Sequence, residues 1–241
     1  MARSKAIVLM AAGLGTRMKS DVAKVMHPVA GRPMIFYPIR TALELGAERI
    51  VVVLGHQRDK IEGYLLRVFP DAPIQIVHQE QQLGTAHAVL CTKDALADFD
   101  GDVFILSGDV PALPTEVIAE MESKGRGSVV SVLGMNLDEP GAYGRLLTDA
   151  GGALQAIIEA RDCTSEQLAV TTVNAGVYRV DATFLFESLQ QIGTDNAQNE
   201  YYLTDIVADA VKRKLPVSMS VLSGDDAGLA EGVNDRLGLA R

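Results

Sequence analysis

The sequence predicts an α/β protein, with a Rossmann-like mixed, mostly parallel sheet flanked by helices and a smaller antiparallel layer added to it. Three observations carry this expectation. Short β-branched apolar runs alternate with helix-length amphipathic segments through the first 113 residues. A glycine-rich turn follows the first of those runs. After Pro114 the apolar runs shorten and turn-rich segments separate them.

Ala6-Ile7-Val8 reads as a buried strand that begins almost at the N-terminus. It leads into Leu9-Met10-Ala11-Ala12-Gly13-Leu14-Gly15-Thr16-Arg17-Met18. Further strands are expected at 50–54, 74–77 and 103–106, with helices over 34–45, 57–68 and 86–96. This order implies parallel strands covered on both faces and joined by right-handed crossovers. A helix over 115–123 and a strand over 129–133 follow. Residues 144–148, 154–158 and 173–180 read as shorter strands, broken by turns at 138–141 and 149–152, and form the antiparallel layer and the far wall of a cleft. Helices over 182–190 and 203–212 and a strand over 217–221 complete the reading. No repeat, long linker or hexapeptide period interrupts it, so 1–241 is expected to be a single domain.

The totals narrow the function. A formal net charge of −9 argues against a nucleic-acid partner, which needs a basic face. No apolar stretch is long enough to span a membrane, and the N-terminus lacks a signal-peptide pattern. The two cysteines, Cys91 and Cys163, lack disulfide or zinc spacing and suit a reducing, cytoplasmic setting. His27, His56, His78 and His87 are scattered, as surface or satisfied core histidines are.

The glycine-rich turn is the strongest functional signal. Glycines let backbone N–H groups reach phosphate oxygens, and Arg17 and Lys24 add a planar and a point-like cation. No Walker A sequence is present, and Met18 stands where a dinucleotide turn needs its third glycine. The pattern points to a nucleoside triphosphate. A negative chain repels such a ligand, but salt screens this beyond about 8 Å, so local donors, cations and a divalent metal must do the binding. Asp109, just past the 103–106 strand, lies on the ligand-binding edge and suits Mg²⁺. Asp100-Gly101-Asp102 precedes the same strand and reads as a solvated turn at the opposite edge. Gln79 to Thr85 follows the 74–77 strand; the Gln79 and Gln82 amides suit a pyrimidine edge, Gly84 allows close approach, and Thr85 can donate.

Met10-Ala-Ala-Gly-Leu-Gly-Thr-Arg17, Lys24-Val, Gln82-Leu-Gly-Thr85, Gly108-Asp109-Val-Pro and Gly141-Ala-Tyr-Gly-Arg145 occur in that order. Ile158-Glu159, Val173-Asn174-Ala-Gly176, Glu200-Tyr-Tyr-Leu-Thr-Asp205 and Glu231-Gly-Val-Asn234-Asp-Arg236 follow them. With these motifs the chain closely resembles the uridylyltransferase domains of the N-acetylglucosamine-1-phosphate uridylyltransferase family, within the wider sugar nucleotidyltransferases. The likeness covers nearly the whole chain. It implies that UMP passes from UTP to N-acetylglucosamine 1-phosphate, giving UDP-N-acetylglucosamine and pyrophosphate. By that resemblance 1–113 is mainly the nucleotide-binding half and 114–241 mainly the sugar-binding half. Ala11, Ala12 and Gly13 would approach the nucleotide, and Gln79, Gln82, Gly84 and Thr85 would read uracil. Arg17 and Lys24 would act on the triphosphate as the catalytic cations, and Asp109 and Asn234 would hold Mg²⁺. Gly144, Glu159, Asn174 and Thr204 would bind the amino sugar, with Tyr202 lining its pocket.

Three positions depart from the family pattern. Ala23 replaces a proline before the lysine, Ser107 an aromatic residue before Gly-Asp, and Ala175 a threonine after the sugar-site asparagine. The last two bear on which sugar is taken. Family members continue into a left-handed β-helix that this sequence lacks, so neither acetyltransferase activity nor a trimer built on it is expected, only a monomer or weak oligomer. Two alternatives stay open: the same fold with another sugar 1-phosphate or NTP, and a non-catalytic nucleotide-sugar sensor. Intact Arg17, Lys24, Asp109 and Asn234 speak against the sensor.

Overall fold

The apolar runs build the sheet expected of them. The computed structural model describes residues 3–13, 15–55 and 57–239, so Leu14 and His56 lie outside the described residues. Strands are β1 (Lys5–Ala11), β2 (Pro28–Val29), β3 (Arg32–Pro33), β4 (Arg49–Leu54), β5 (Ile74–His78) and β6 (Asp102–Ser107). The second half adds β7 (Val130–Asn136), β8 (Arg145–Thr148), β9 (Leu154–Ile158), β10 (Thr172–Asp181) and β11 (Val217–Leu222). Helices are α1 (Phe36–Glu44), α2 (Arg58–Val68), α3 (Thr85–Leu90), α4 (Thr115–Lys124), α5 (Ser165–Leu168), α6 (Ala182–Leu189), α7 (Asp205–Lys212) and α8 (Arg236–Leu239).

The main sheet runs β11-β7-β10-β6-β1-β4-β5. β1 pairs in parallel with β4 and β6, and β4 with β5. Each central strand is buried on both faces. In β1, Ala6 and Val8 enter one core layer while Ile7 and Leu9 enter the other, which is why its sequence reads as a continuous apolar run. The chain leaves β1 for β4 and β5 on one side and returns through β6 on the other. The crevice beyond the carboxyl ends of β1 and β6 is therefore the topological switch point, where open α/β sheets bind ligands.

One expectation about the sheet needs correction. The 173–180 strand does not belong to a separate layer: antiparallel β10 lies inside the main sheet, pairing Tyr178 with Ile105 of β6 and with Val132 of β7. Its buried residues, Val173, Ala175, Val177, Tyr178, Arg179 and Val180, fit that central place. Of the three expected strands, 144–148 and 154–158 form the added antiparallel piece, the β8–β9 hairpin, joined to β10 at Val173 and Arg145. Between Asn174 and Val177 the β10–β7 register shifts. There Gly176 adopts φ +74 and its N–H bonds to Asn174 Oδ1, while Ala175 and Gly176 drop out of the paired register that resumes at Val177.

Asp102 is a second correction. Asp100 is exposed, but the Asp102 side chain is only 4% exposed. Arg179 from β10 grips it through Nε at 2.9 Å and Nη2 at 3.0 Å, and Arg3 reaches it at 3.1 Å. The pairing of Asp181 with Asp102 in the β10–β6 register brings Arg179 beside it, a long-range contact that no local spacing announces.

Smaller differences have local causes. The helix expected over 86–96 stops at Leu90, and Asp94–Leu96 forms a separate 3₁₀ turn. Buried Thr92 donates to Val89 O at 2.7 Å, a back-bond that competes with helix continuation. The short hairpin of β2 and β3, the capped α5 and the 3₁₀ segment Gly224–Ala230 were not anticipated. Cys91 and Cys163 are free thiols. His27 is not a satisfied core histidine, since its buried Nε2 has no partner among the described residues. No helix among the described residues is long and apolar enough to cross a membrane.

Candidate active site

The glycine turn after β1 forms one wall of the site. Gly15 has φ +60, and a Cβ there would stand 2.7 Å from Lys24 Cβ, so this position requires glycine to let the Lys24 stem pass. The turn then winds through Thr16–Met18 and returns to Lys24 at the start of another single 3₁₀ turn. Gln57, at the N-terminus of α2, donates to Asp21 O at 2.7 Å and anchors this excursion.

The Lys24 side chain reaches from this loop to the turn after β6. Its ammonium pairs with Asp109 Oδ2 and donates to Asn234 Oδ1 at 3.0 Å. Arg17 Nη2 donates to that same Asn234 oxygen at 3.0 Å. Asp109 Oδ1 accepts from Ser107 Oγ at 2.6 Å, which fixes the rotation of the carboxylate. Val233 N–H bonds to Asp109 O at 2.8 Å, so the 231–234 segment is tied to the turn after β6. Gly232 N–H donates to Tyr143 Oη at 3.2 Å, joining the same segment to the loop before β8. The two expected cations and both expected metal ligands thus meet, although they come from three distant parts of the sequence.

A cavity of about 310 Å³ opens beside this cluster. Ala12, Gly13, Lys24, Gln79, Gln82, Gly84, Thr85 and Asp109 line it, as do Ser107, Ala88 and Glu200. Ala11 is not on the wall; it closes β1 and packs into the opposite core layer. Gln79 is buried, and its Nε2 contacts Gly84 O at 3.1 Å and His87 Nδ1 at 3.0 Å. Gln82 Nε2 donates to Ala12 O at 2.6 Å, joining the 79–85 loop to the glycine turn. Thr85 Oγ1 accepts from Leu203 N–H at 3.0 Å, so part of its capacity goes to structure.

The expected sugar residues form an adjoining cluster. Asn174 N–H bonds to Gly144 O at 2.8 Å, and its amide nitrogen donates to Tyr178 Oη at 2.6 Å. Thr204 occupies the cap position of α7 but makes no side-chain cap; its hydroxyl donates to Glu159 Oε1 at 3.4 Å. Gly144 lies against the same carboxyl group, which a Cβ there would approach to 3.6 Å. Burial pushes the Glu159 carboxyl above its ordinary pKa; Asp162, Asp205 and Glu200 add to the rise, and the Thr204 bond opposes it. Burial likewise raises Tyr178, with Glu159 adding to it. Tyr202 is buried, and its hydroxyl is committed to Asp162 Oδ2 at 3.2 Å and Gln198 Nε2 at 2.9 Å, so it braces the cluster.

Sequence reasoning missed several members. Ala88 on the floor lies one helical turn after Thr85 and was legible once the helix is started there. Tyr143 and Glu200 stand inside motifs read for their neighbours, and His87 passed as one of the scattered histidines because its partner, Gln79, meets it only across the cavity wall.

Residues 5–231 match the nucleotidyl transferase family. The chain belongs to that family. This nucleotidyl transferase is 48% identical over 238 residues to the bifunctional protein GlmU of Anaeromyxobacter dehalogenans (strain 2CP-1), covering 98% of the chain and 48% of that protein. It is 43% identical over 237 residues to the bifunctional protein GlmU of Geobacter sulfurreducens, covering 98% and 49%. The chain therefore spans about half the length of the curated relatives it matches. Its fold is shared with a UDP-glucose pyrophosphorylase solved in complex with UDP-glucose, at a TM-score of 0.73 and 21% identity, covering 89% of each chain.

Proposed function

We propose that this nucleotidyl transferase moves UMP from UTP to N-acetylglucosamine 1-phosphate, giving UDP-N-acetylglucosamine and pyrophosphate with Mg²⁺ as cofactor. One observation carries the reading: Lys24, Arg17, Asp109 and Asn234 converge at the switch point, beside a cavity that Gln79, Gln82 and the Gly13 turn share. The GlmU relatives support it with 48% and 43% identity over 98% of the chain, and the fold neighbour's bound UDP-glucose supports a uridine diphosphate sugar as product.

The donor chemistry fits magnesium. Asp109 Oδ2 and Asn234 Oδ1 are both hard oxygen donors, held close enough for one Lys24 ammonium to contact both. Among the described residues no group of three or more His, Cys, Asp or Glu is arranged to hold a metal. Two protein oxygens with phosphate oxygens from substrate are the usual Mg²⁺ arrangement. When bound, the ion neutralises and orients phosphate oxygens.

The remaining work falls to the chain. Phosphate oxygen of the sugar 1-phosphate attacks the α-phosphorus in line; a new P–O bond forms, the α–β bridge breaks, and pyrophosphate departs. The nucleophile needs no general base, because the second pKa of a phosphate monoester is about 6. Arg17 and Lys24 supply positive charge to the phosphates as the bridging bond breaks. The Ala12–Gly13 backbone presses against the nucleotide, and Gln79 and Gln82 read its base. Glu159, Asn174, Thr204 and Gly144 hold the sugar, so two repelling anions meet in one orientation.

Pyrophosphate release with Mg²⁺, each NTP and a panel of sugar 1-phosphates tests this. Turnover confined to UTP and N-acetylglucosamine 1-phosphate is expected. Equal turnover with another pair, or nucleotide-sugar binding without release, overturns it. Asp109→Asn should keep its fold yet lose at least about 10²-fold in rate, as removal of a main electrostatic element does.

A further inference from the structure

Gln79 is the most enclosed polar side chain on the cavity wall, 6% exposed. Its Nε2 faces two neighbours, Gly84 O at 3.1 Å and His87 Nδ1 at 3.0 Å. A backbone carbonyl can only accept, so the amide nitrogen, not the amide oxygen, must point at Gly84. One N–H is spent there. The other points at His87 Nδ1, which must then offer a lone pair, leaving the imidazole proton on Nε2. Both donors of the amide are consumed inside the protein. Its oxygen makes no hydrogen bond to any described residue and is what Gln79 has left for a ligand.

We propose that His87 is a positioning residue that fixes Gln79 as an acceptor-only reader, so that the site selects a pyrimidine carrying N3–H against one carrying an N3 lone pair. This rests on the uridylyl transfer reading above. Uracil and thymine present N–H at that place; cytosine presents a second acceptor, which the Gln79 oxygen repels. Rotating the amide would admit cytosine, but rotation sets its oxygen against Gly84 O and gives up the His87 bond. Both acceptors are rigidly held. His87 stands in the first turn of α3, and that turn is pinned by Ala86 N–H to Tyr201 O at 2.9 Å and by Leu203 N–H to Thr85 Oγ1 at 3.0 Å. Gly84 is packed against the Tyr201 backbone.

The test compares kcat/KM for UTP and CTP in the wild type, His87→Leu and His87→Asn. Leucine fills the space without an acceptor. Asparagine puts its carbonyl oxygen the same number of bonds from the backbone as Nδ1. His87→Leu should lower the UTP:CTP preference about fivefold, the worth of one neutral hydrogen bond. The loss should fall on KM more than on kcat, and His87→Asn should recover most of it. An unchanged preference in His87→Leu, or equal loss in both variants, overturns the proposal while uridylyl transfer stands. A wild type with no preference for UTP overturns the functional reading itself. The ring ¹⁵N shifts of His87 in the unmodified protein give a second check that needs no variant: an Nε2–H tautomer is expected, and an Nδ1–H tautomer sinks the lock.

Discussion

Gly84→Ala separates a 79–85 loop that merely lies near residues 200–204 from one built into them. Gly84 has φ +114, and a Cβ would stand 2.5 Å from Tyr201 O and 2.8 Å from Tyr201 N. Both are backbone atoms, so no rotamer change relieves the clash; the loop must move away from 200–203. Three hydrogen bonds hold the two segments together: Ala86 N–H to Tyr201 O at 2.9 Å, Tyr201 N–H to Leu83 O at 2.8 Å and Leu203 N–H to Thr85 Oγ1 at 3.0 Å. At about 0.5–1.5 kcal/mol each, losing two of them costs about 2 kcal/mol. Forcing alanine into positive φ adds about 1 kcal/mol or more. A total near 3 kcal/mol lowers the melting temperature of a chain this size by about 6–12 °C. Calorimetry measures that shift, and a titration with N-acetylglucosamine 1-phosphate measures the second consequence: sugar affinity should fall too, because Thr204 and Tyr202 follow the displaced segment. A variant that melts within about 2 °C of the wild type with unchanged sugar affinity would refute the coupling.

Two further outcomes follow from the charged groups. Asp102→Asn leaves buried Arg179 without its carboxylate and should cost about 3 kcal/mol in urea denaturation, the low end for breaking a buried pair; a loss below about 1 kcal/mol would show that Asp181 or water replaces it. Glu159 has its pKa raised, first by burial, so its neutral form favours the fold: its contribution is full below the ordinary glutamate range and is lost as pH rises through the raised value. Stability measured across that window should fall less steeply in Glu159→Gln, and parallel curves for the two proteins would remove Glu159 as the cause.

How far the sequence could be read depended on the range of the contacts involved. β1, β4 and β6 were legible because burial on both faces leaves an unbroken apolar run, and Asp109 was legible because it follows such a run on the ligand edge. The place of β10 was not. Its pattern fits a central strand and a hairpin strand equally, and only pairing with both β6 and β7 decides between them. Asp102 was misread for the same reason, since its partner Arg179 is 77 residues away. α5 was within reach: Thr164 and Gln167 make a reciprocal capping box whose spacing is visible in the sequence. Tyr143 was out of reach, because its bond to Gly232 spans 89 residues.

The charge pattern explains why the site is assembled from such distant pieces. A chain of net charge −9 gains nothing from long-range attraction to phosphates, so its cations act only within a few ångströms. Arg17 and Lys24 stand at opposite ends of one excursion, and both touch Asn234 Oδ1, more than 200 residues on. Asn234 is itself placed by Val233 on Asp109 and by Gly232 on Tyr143. Lys24 cannot leave its loop without breaking its pair with Asp109, and Asp109 cannot rotate without losing Ser107. Each charged group is therefore held by a neighbour of opposite charge or polarity until substrate arrives. In the proposed reaction, substrate phosphate has only to replace those partners, and the fold bears the cost of gathering like charges beforehand.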